Sequence, residues 1–214
     1  MVMVSIIPIF MAFAILSSCG QVSSNGKKLS VSDIQKESCD HPDADINCSF
    51  IGMPASLNSV MNIAGEREPG ERLVIRGTLL KSDGKTPFPG VLLYAYHTDS
   101  KGYYSKSGKE MGVQKWHGRL HGWCKTDRNG NYEIRSIRPA PYPNNQIPAH
   151  IHPAVKVPGN SLPYHLTDFV FKDDPLIDDQ YAESMKERTG GTGIVDLKKI
   201  DGVWIGQRDI RLKP

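Results

Sequence analysis

Long apolar runs are almost missing from this chain, and the one present, Ile6 to Leu16, falls short of the ~20 residues that a helical membrane span requires. It is too short for a stable membrane span. Charge of one sign is missing too, since 26 Lys and Arg stand against 23 Asp and Glu, a formal balance of +3. No basic stripe with interleaved aromatics runs along the sequence, and Lys27-Lys28 is too small a cluster to replace one, so nucleic acid is not an expected partner. Internal repeats are absent, and low complexity is confined to a Ser/Gly/Lys-rich stretch from Gly20 to about Leu29. The 214 residues suffice for one domain with a proper core and leave no room for a second catalytic domain.

What is present at the start concerns location. The run from Ile6 to Leu16 leads into Leu16-Ser17-Ser18-Cys19, the pattern of a bacterial lipoprotein signal with its lipobox, although no lysine or arginine precedes the run. Cleavage before Cys19 and acylation of its thiol would tether an exported domain to a membrane. Gly20, in place of an acidic residue, points to the outer membrane, with the domain on its periplasmic or surface face. The expected division is a signal over 1–19, a tether and extension over 20–69 and a folded domain over 70–214. Cysteine usage agrees with export: Cys39 and Cys48 bracket a short acidic loop and are expected to close it with a disulfide in an oxidising compartment. That loop lacks the glycine and distal glutamate of a calcium loop and reads as a solvated turn. Cys124 reads as a small buried apolar residue in a strand.

The remaining pattern is all-β, a two-sheet β-sandwich with long loops and one short helix. Arg72 to Leu80 and Gly90 to His97 are rich in Leu, Val, Ile and Tyr, and the Asp83-Gly84 turn with two prolines between them predicts a strand pair. Asn129-Gly130 predicts a hairpin joining Trp123–Asp127 to Tyr132–Ile137, where Tyr132 and Ile134 alternate with Glu133 and Arg135. Further strands are expected over Ala149–Val157, Asp168–Phe171 and Gln207–Leu212, and a helix over Asp178–Arg188, stopped by Gly190-Gly191. Short strands with turn signals at this spacing make a sandwich.

Chemistry concentrates in Pro141-Tyr142-Pro143 and Pro148-Ala149-His150-Ile151-His152. In an extended segment the side-chain period of two puts His150 and His152 on one face and Ile151 on the other, which makes a two-toothed metal clamp. Tyr142, held between prolines, is a third donor by local geometry, and the segment Gly102-Tyr103-Tyr104-Ser105 offers a fourth. Phenolate oxygen is a hard anionic donor, so two phenolates with two neutral imidazoles suit ferric iron better than a softer cation.

The same segments, with Gly70–Gly77, Gly84–Gly90, Thr126–Tyr132, Ile137–Pro143 and a weaker tail at Asp168–Phe171, resemble the intradiol ring-cleavage dioxygenases, in order and over about two thirds of the chain. The resemblance implies Fe(III) as cofactor and Tyr104, Tyr142, His150 and His152 as its ligands, with Tyr142 and His152 axial and Tyr104 and His150 equatorial. It also implies an activity: opening a catechol with O2 between its two hydroxyls to a muconate-type diacid, Tyr142 serving as ligand and then as proton acceptor. One departure stands out. The family usually carries an arginine three positions before the first histidine, and Ile147 occupies that place. A guanidinium there is worth roughly 3 kcal/mol in a dry site, and Arg138, Arg119, His121 and Gln146 are the candidates to replace it.

Two other readings compete: an iron-bearing relative that binds catecholic ligands without turnover, and a transthyretin-like binding module, whose Thr-Asp-x-x-Gly-x-Tyr turn resembles Thr126–Tyr132. Trp116, Trp123 and Trp204 are core aromatics or pocket walls, and Tyr103, His117, Tyr164 and His165 are the candidate readers of ring substituents. Self-association into a homo-oligomer is compatible with all of this. The helical dimerisation domain of some catechol dioxygenases is not expected, because 30–69 is short and broken by Pro and Gly.

Overall fold

A computed structural model describes residues 39–143, 147–159 and 162–213. The signal, the lipobox with Cys19, the tether and Gln146 lie outside the described residues. Among these residues no helix is long and apolar enough to cross a membrane.

Two six-stranded sheets form the body. The first comprises β1 (Val60–Asn62), β2 (Arg72–Leu80), β5 (Asn131–Ile137), β10 (Leu197–Ile200), β11 (Val203–Gln207) and β12 (Ile210–Arg211), in the order β1-β5-β2-β11-β10 with β12 beside the end of β2. The second comprises β3 (Leu92–His97), β4 (His121–Lys125), β6 (His150–Lys156), β7 (Tyr164–His165), β8 (Phe169–Phe171) and β9 (Ile194–Val195), in the order β4-β3-β6-β8-β9 with β7 on β6. Alternation explains the packing. Tyr132 and Ile134 of β5 turn inward while Glu133 and Arg135 stay on the outer side, and Ile75, Leu93, Ile151 and Phe169 meet them in one continuous core. Burying each such side chain contributes about 1.5–3 kcal/mol.

Both predicted pairings are corrected. β2 and β3 are not neighbours: β2 takes β5 antiparallel on one edge and β11 and β12 in parallel on the other, so no edge remains for β3. Nor do β4 and β5 make a hairpin. The turn itself forms, with the Asp127 carboxylate accepting from the Asn129 and Asn131 amides at 2.8 and 2.9 Å, but Gly130 is anchored to β2 by accepting from the Leu79 amide at 2.8 Å. It therefore hands the chain from one sheet to the other. The predicted strand over 207–212 is split at Arg208, which buries its guanidinium against the Thr167 and Gly190 carbonyls, each at 3.0 Å.

The predicted helix is α2 (Asp179–Met185), capped by the Asp178 carboxylate accepting from the Tyr181 amide at 2.8 Å. A single helical turn that the sequence did not announce is α1 (Gln114–His117). Cys39 and Cys48 are disulfide-bonded with Cα atoms 5.4 Å apart, and Cys124 is free and buried, its thiol pushed up to about 12 by burial.

Candidate metal centre

β6 carries the two imidazoles. Ile151 is fully buried in the core, so His150 and His152 project from the opposite face, outside the sandwich. Register then sets the neighbours of His152: Tyr96 lies across from it on β3, and His121 lies across from Tyr96 on β4. The two phenols arrive on loops, Tyr104 after β3 and Tyr142 after β5. Gly102 makes their meeting sterically possible, since a Cβ there would stand 2.2 Å from the Pro141 carbonyl oxygen. The Thr98 hydroxyl ties the loops further, donating to the Ala140 carbonyl at 2.7 Å.

Four donor atoms converge. Tyr104 Oη is 2.5 Å from Tyr142 Oη and 2.9 Å from His152 Nε2, Tyr142 Oη is 3.5 Å from His152 Nε2, and the two histidine Nε2 atoms are 2.9 Å apart. The partners of the other nitrogens fix the tautomers. His150 Nδ1 lies 2.7 Å from the Pro148 carbonyl and His152 Nδ1 lies 3.0 Å from the Asp168 carboxylate, both acceptors, so each Nδ1 carries its hydrogen. Each Nε2 is then a bare lone pair, and two of them face each other. Without a shared cation that arrangement is repulsive; with one it is a ligand pair, so these residues fit a hard metal ion.

Electrostatics agrees with the donor set. Burial holds the His150 imidazole below its ordinary range, which keeps it neutral and free to donate to a metal. Burial, then the contact with Tyr142, raises the Tyr104 phenol well above its usual range, so a phenolate there requires a nearby cation. His150, His152 and Asp168 also present potential ligand atoms within 4.8 Å of one another. Asp168, however, faces Nδ1 of His152 while the phenols and His150 face Nε2. A carboxylate behind an imidazole steers the ring and raises its basicity instead of sharing its ion.

All four predicted ligands are therefore brought together. Of the residues proposed to replace the missing guanidinium, Arg138 is clamped bidentately on Asp173 at 2.8 and 2.7 Å and Arg119 is paired with Glu68. The His121 ring is bound through Nδ1 to the Gly118 carbonyl at 2.7 Å, and Ile147 is itself exposed. Among the proposed substituent readers, His117 stacks on Tyr96 and His165 lines a cavity beside Asp168, whereas Tyr103 faces solvent and Tyr164 sits in β7. Trp123 packs on Tyr94, Trp116 is exposed, and Trp204 belongs to the other sheet, under Arg138 and Lys199. Sequence reasoning gave Asp168 and Tyr96 no role. The alternation Tyr94-Ala95-Tyr96 in a strand was the available signal for the second; for the first, only pairing with β6 supplies it.

A family model described as Dioxygenase matches residues 49–198. The chain is 30% identical over 152 residues to the catechol 1,2-dioxygenase of Acinetobacter baylyi, covering 64% of this chain and 47% of that protein. It spans about half the length of the curated relatives it matches. Among solved structures, the fold is shared with the dioxygenase domain of a dioxygenase carbohydrate-binding protein fusion from Streptomyces sp. SirexAA-E, at TM-score 0.53 and 21% identity over 76% of this chain and 94% of that one. The intradiol ring-cleavage dioxygenase of Tetranychus urticae shares it as well, at TM-score 0.52 and 19% identity over 76% and 90% of the two chains. With the sandwich, the converging donors and a family match over most of its length, the chain belongs to the intradiol ring-cleavage dioxygenases.

Proposed function

We propose that this chain is a non-haem Fe(III) enzyme that cleaves a catecholic ring between its two hydroxyls with O2, giving a muconate-type diacid. The convergence of two phenol oxygens and two unprotonated imidazole nitrogens on one point carries this reading. A ferric ion bound there supplies Lewis acidity and a point of chelation for both oxygens of the catechol.

The chain's own residues have distinct parts in this scheme. Tyr104, His150 and His152 are the fixed donors, the histidines because they sit in a strand paired on both edges. Tyr142 is the donor that gives way. It is half-buried on a proline-flanked loop, so its withdrawal would break no strand pairing, and its oxygen would be free to accept a catechol proton. Asp168 holds Nδ1 of His152 throughout.

Ile147, with Arg119 and Arg138 committed elsewhere, favours a second reading in which catechols bind without turnover. Ferric reconstitution followed by oxygen-electrode assays with catechol, protocatechuate and hydroxyquinol separates the two. The enzyme reading expects a reddish tyrosinate-to-iron band and oxygen uptake; a colour shift on binding with no uptake leaves the binder, and a colourless protein rejects the site.

Export and attachment to a bacterial membrane through an acylated Cys19 belong to the same proposal, supported by the Cys39–Cys48 disulfide, which suits an oxidising compartment. Fractionation of cells expressing Cys19→Ala checks it: release of the protein from the membrane fraction is expected, and retention there would refute the anchor.

A further inference from the structure

α1 is one turn long, too short to hold its own shape, yet through Tyr96 and through Gly118 it reaches two of the four ligands. The His117 ring lies on Tyr96 with centroids 3.7 Å apart and planes within 6°, and Tyr96 in turn stacks on His152 at 4.6 Å. These three rings form a column that ends on a metal ligand. His117 cannot rotate freely in it, because the hydroxyl of fully buried Tyr94 lies 2.7 Å from its Nδ1. That hydroxyl has no other hydrogen-bond partner among the described residues, so this one contact holds the imidazole in a single orientation.

The next residue reaches the second ligand. Gly118 has φ +74°, and a Cβ there would stand 2.9 Å from both the Ser105 carbonyl oxygen and the Tyr104 carbonyl carbon. Arg119 follows by donating its amide to the Ser105 carbonyl at 2.8 Å. The end of α1 is thus pressed directly against the Tyr104 loop.

What holds α1 in place is the disulfide-closed loop. Val113 packs with Cys39 and Cys48, Gln114 Nε2 donates to the Ile51 carbonyl at 3.2 Å, and Lys115 pairs with Asp40. From the same segment Phe50 packs beside Tyr94, and the Ser49 carbonyl accepts from Trp123 Nε1 at 2.8 Å.

We propose that His117 is a positioning residue of the metal centre: it holds Tyr96 against His152 and, through Gly118, the Tyr104 loop, with the Cys39–Cys48 loop as its anchor. This rests on the reading of Tyr104, Tyr142, His150 and His152 as ferric ligands. Groups that orient a ligand from behind are commonly worth 10–100-fold in metal affinity. His117→Ala is therefore expected to weaken ferric binding about tenfold and to shift the tyrosinate charge-transfer band. His117→Phe, which keeps the stack and loses only the bond to Tyr94, should recover both to within about threefold of the wild type. The double variant Cys39→Ser, Cys48→Ser should move the band in the same direction as His117→Ala, without a reductant that would also attack the iron.

A His117→Ala protein that melts earlier but keeps the wild-type band and affinity has lost only packing, and the proposal is overturned. If the wild type itself takes up no ferric ion, the ligand reading falls first. Crystal structures of the metal-free wild type and His117→Ala then decide this one: a His152 ring turned out of its stack on Tyr96 supports it, and an unmoved ring refutes it.

Discussion

Removal of the Asp168 carboxylate is the sharpest probe of how the metal centre is held. Its oxygen lies 3.0 Å from Nδ1 of His152, and the side chains are 38% and 23% exposed. Water therefore screens the pair, and full low-dielectric Coulomb energies do not apply. Loss of such a carboxylate behind a ligating histidine costs about 10–100-fold in metal affinity, or roughly 1.4–2.7 kcal/mol. Partial exposure puts Asp168→Ala at the lower end, about tenfold. Asp168→Asn keeps an oxygen that still accepts from Nδ1–H and loses only the charge, so its effect should be smaller. Ferric dissociation constants from competition with a chelator of known affinity give the ranking, and circular dichroism confirms that all three proteins are folded. If Asp168→Ala holds iron as tightly as the wild type, or Asp168→Asn is the worse of the two, then Asp168 does not act through His152.

The other predictions address single contacts. Tyr104→Phe should lower iron occupancy severely, whereas Tyr142→Phe should retain part of the iron and slow catechol binding; stopped-flow colour changes read both, and equal behaviour contradicts the division of roles. Gly102→Ala should disrupt the centre without touching a ligand, because the new Cβ meets the Pro141 carbonyl and forces the two tyrosine loops apart, seen as lost or displaced charge transfer. His97 is buried between the Thr98 carbonyl and the Ser136 hydroxyl, and burial pushes its pKa down to about 4. An unfolded histidine protonates near 6.5, so as pH falls from about 6.5 to 4 the unfolded state gains the proton first and stability drops, by roughly 3 kcal/mol. Urea unfolding at pH 7 and 4.5 should show a smaller difference in His97→Gln than in the wild type, and equal differences would show that His97 does not contribute.

Much of the site is legible in the amino-acid sequence. The His-x-His alternation needs only an extended backbone, and Ile151 at its centre fixes which face goes inward. The β5 strand announces its wet and dry sides in the same way, and Cys39 and Cys48 are close enough in sequence to be read as a pair. Strand partners are not legible. An Asp-x-Asn-Gly turn reverses the chain by local hydrogen bonds, and nothing in those bonds says which sheet receives the next strand. The expected pairing of β2 with β3 fails for a related reason, since edge availability on β2 is settled by β11 and β12, more than a hundred residues later.

By itself the sequence determined the donors, their hardness and the backbone period that aims two of them, because these are properties of residue type and nearest neighbours. The tertiary structure alone decided that Tyr104 and Tyr142 would share a point with His150 and His152, that Asp168 would lie on Nδ1 of His152, and that Tyr96 would stack between His152 and His117. Convergence requires close approach of segments distant in the chain. That approach depends on which backbones lack a Cβ, as at Gly102 and Gly118, and on which strands pair, quantities that exist only once the whole chain has packed.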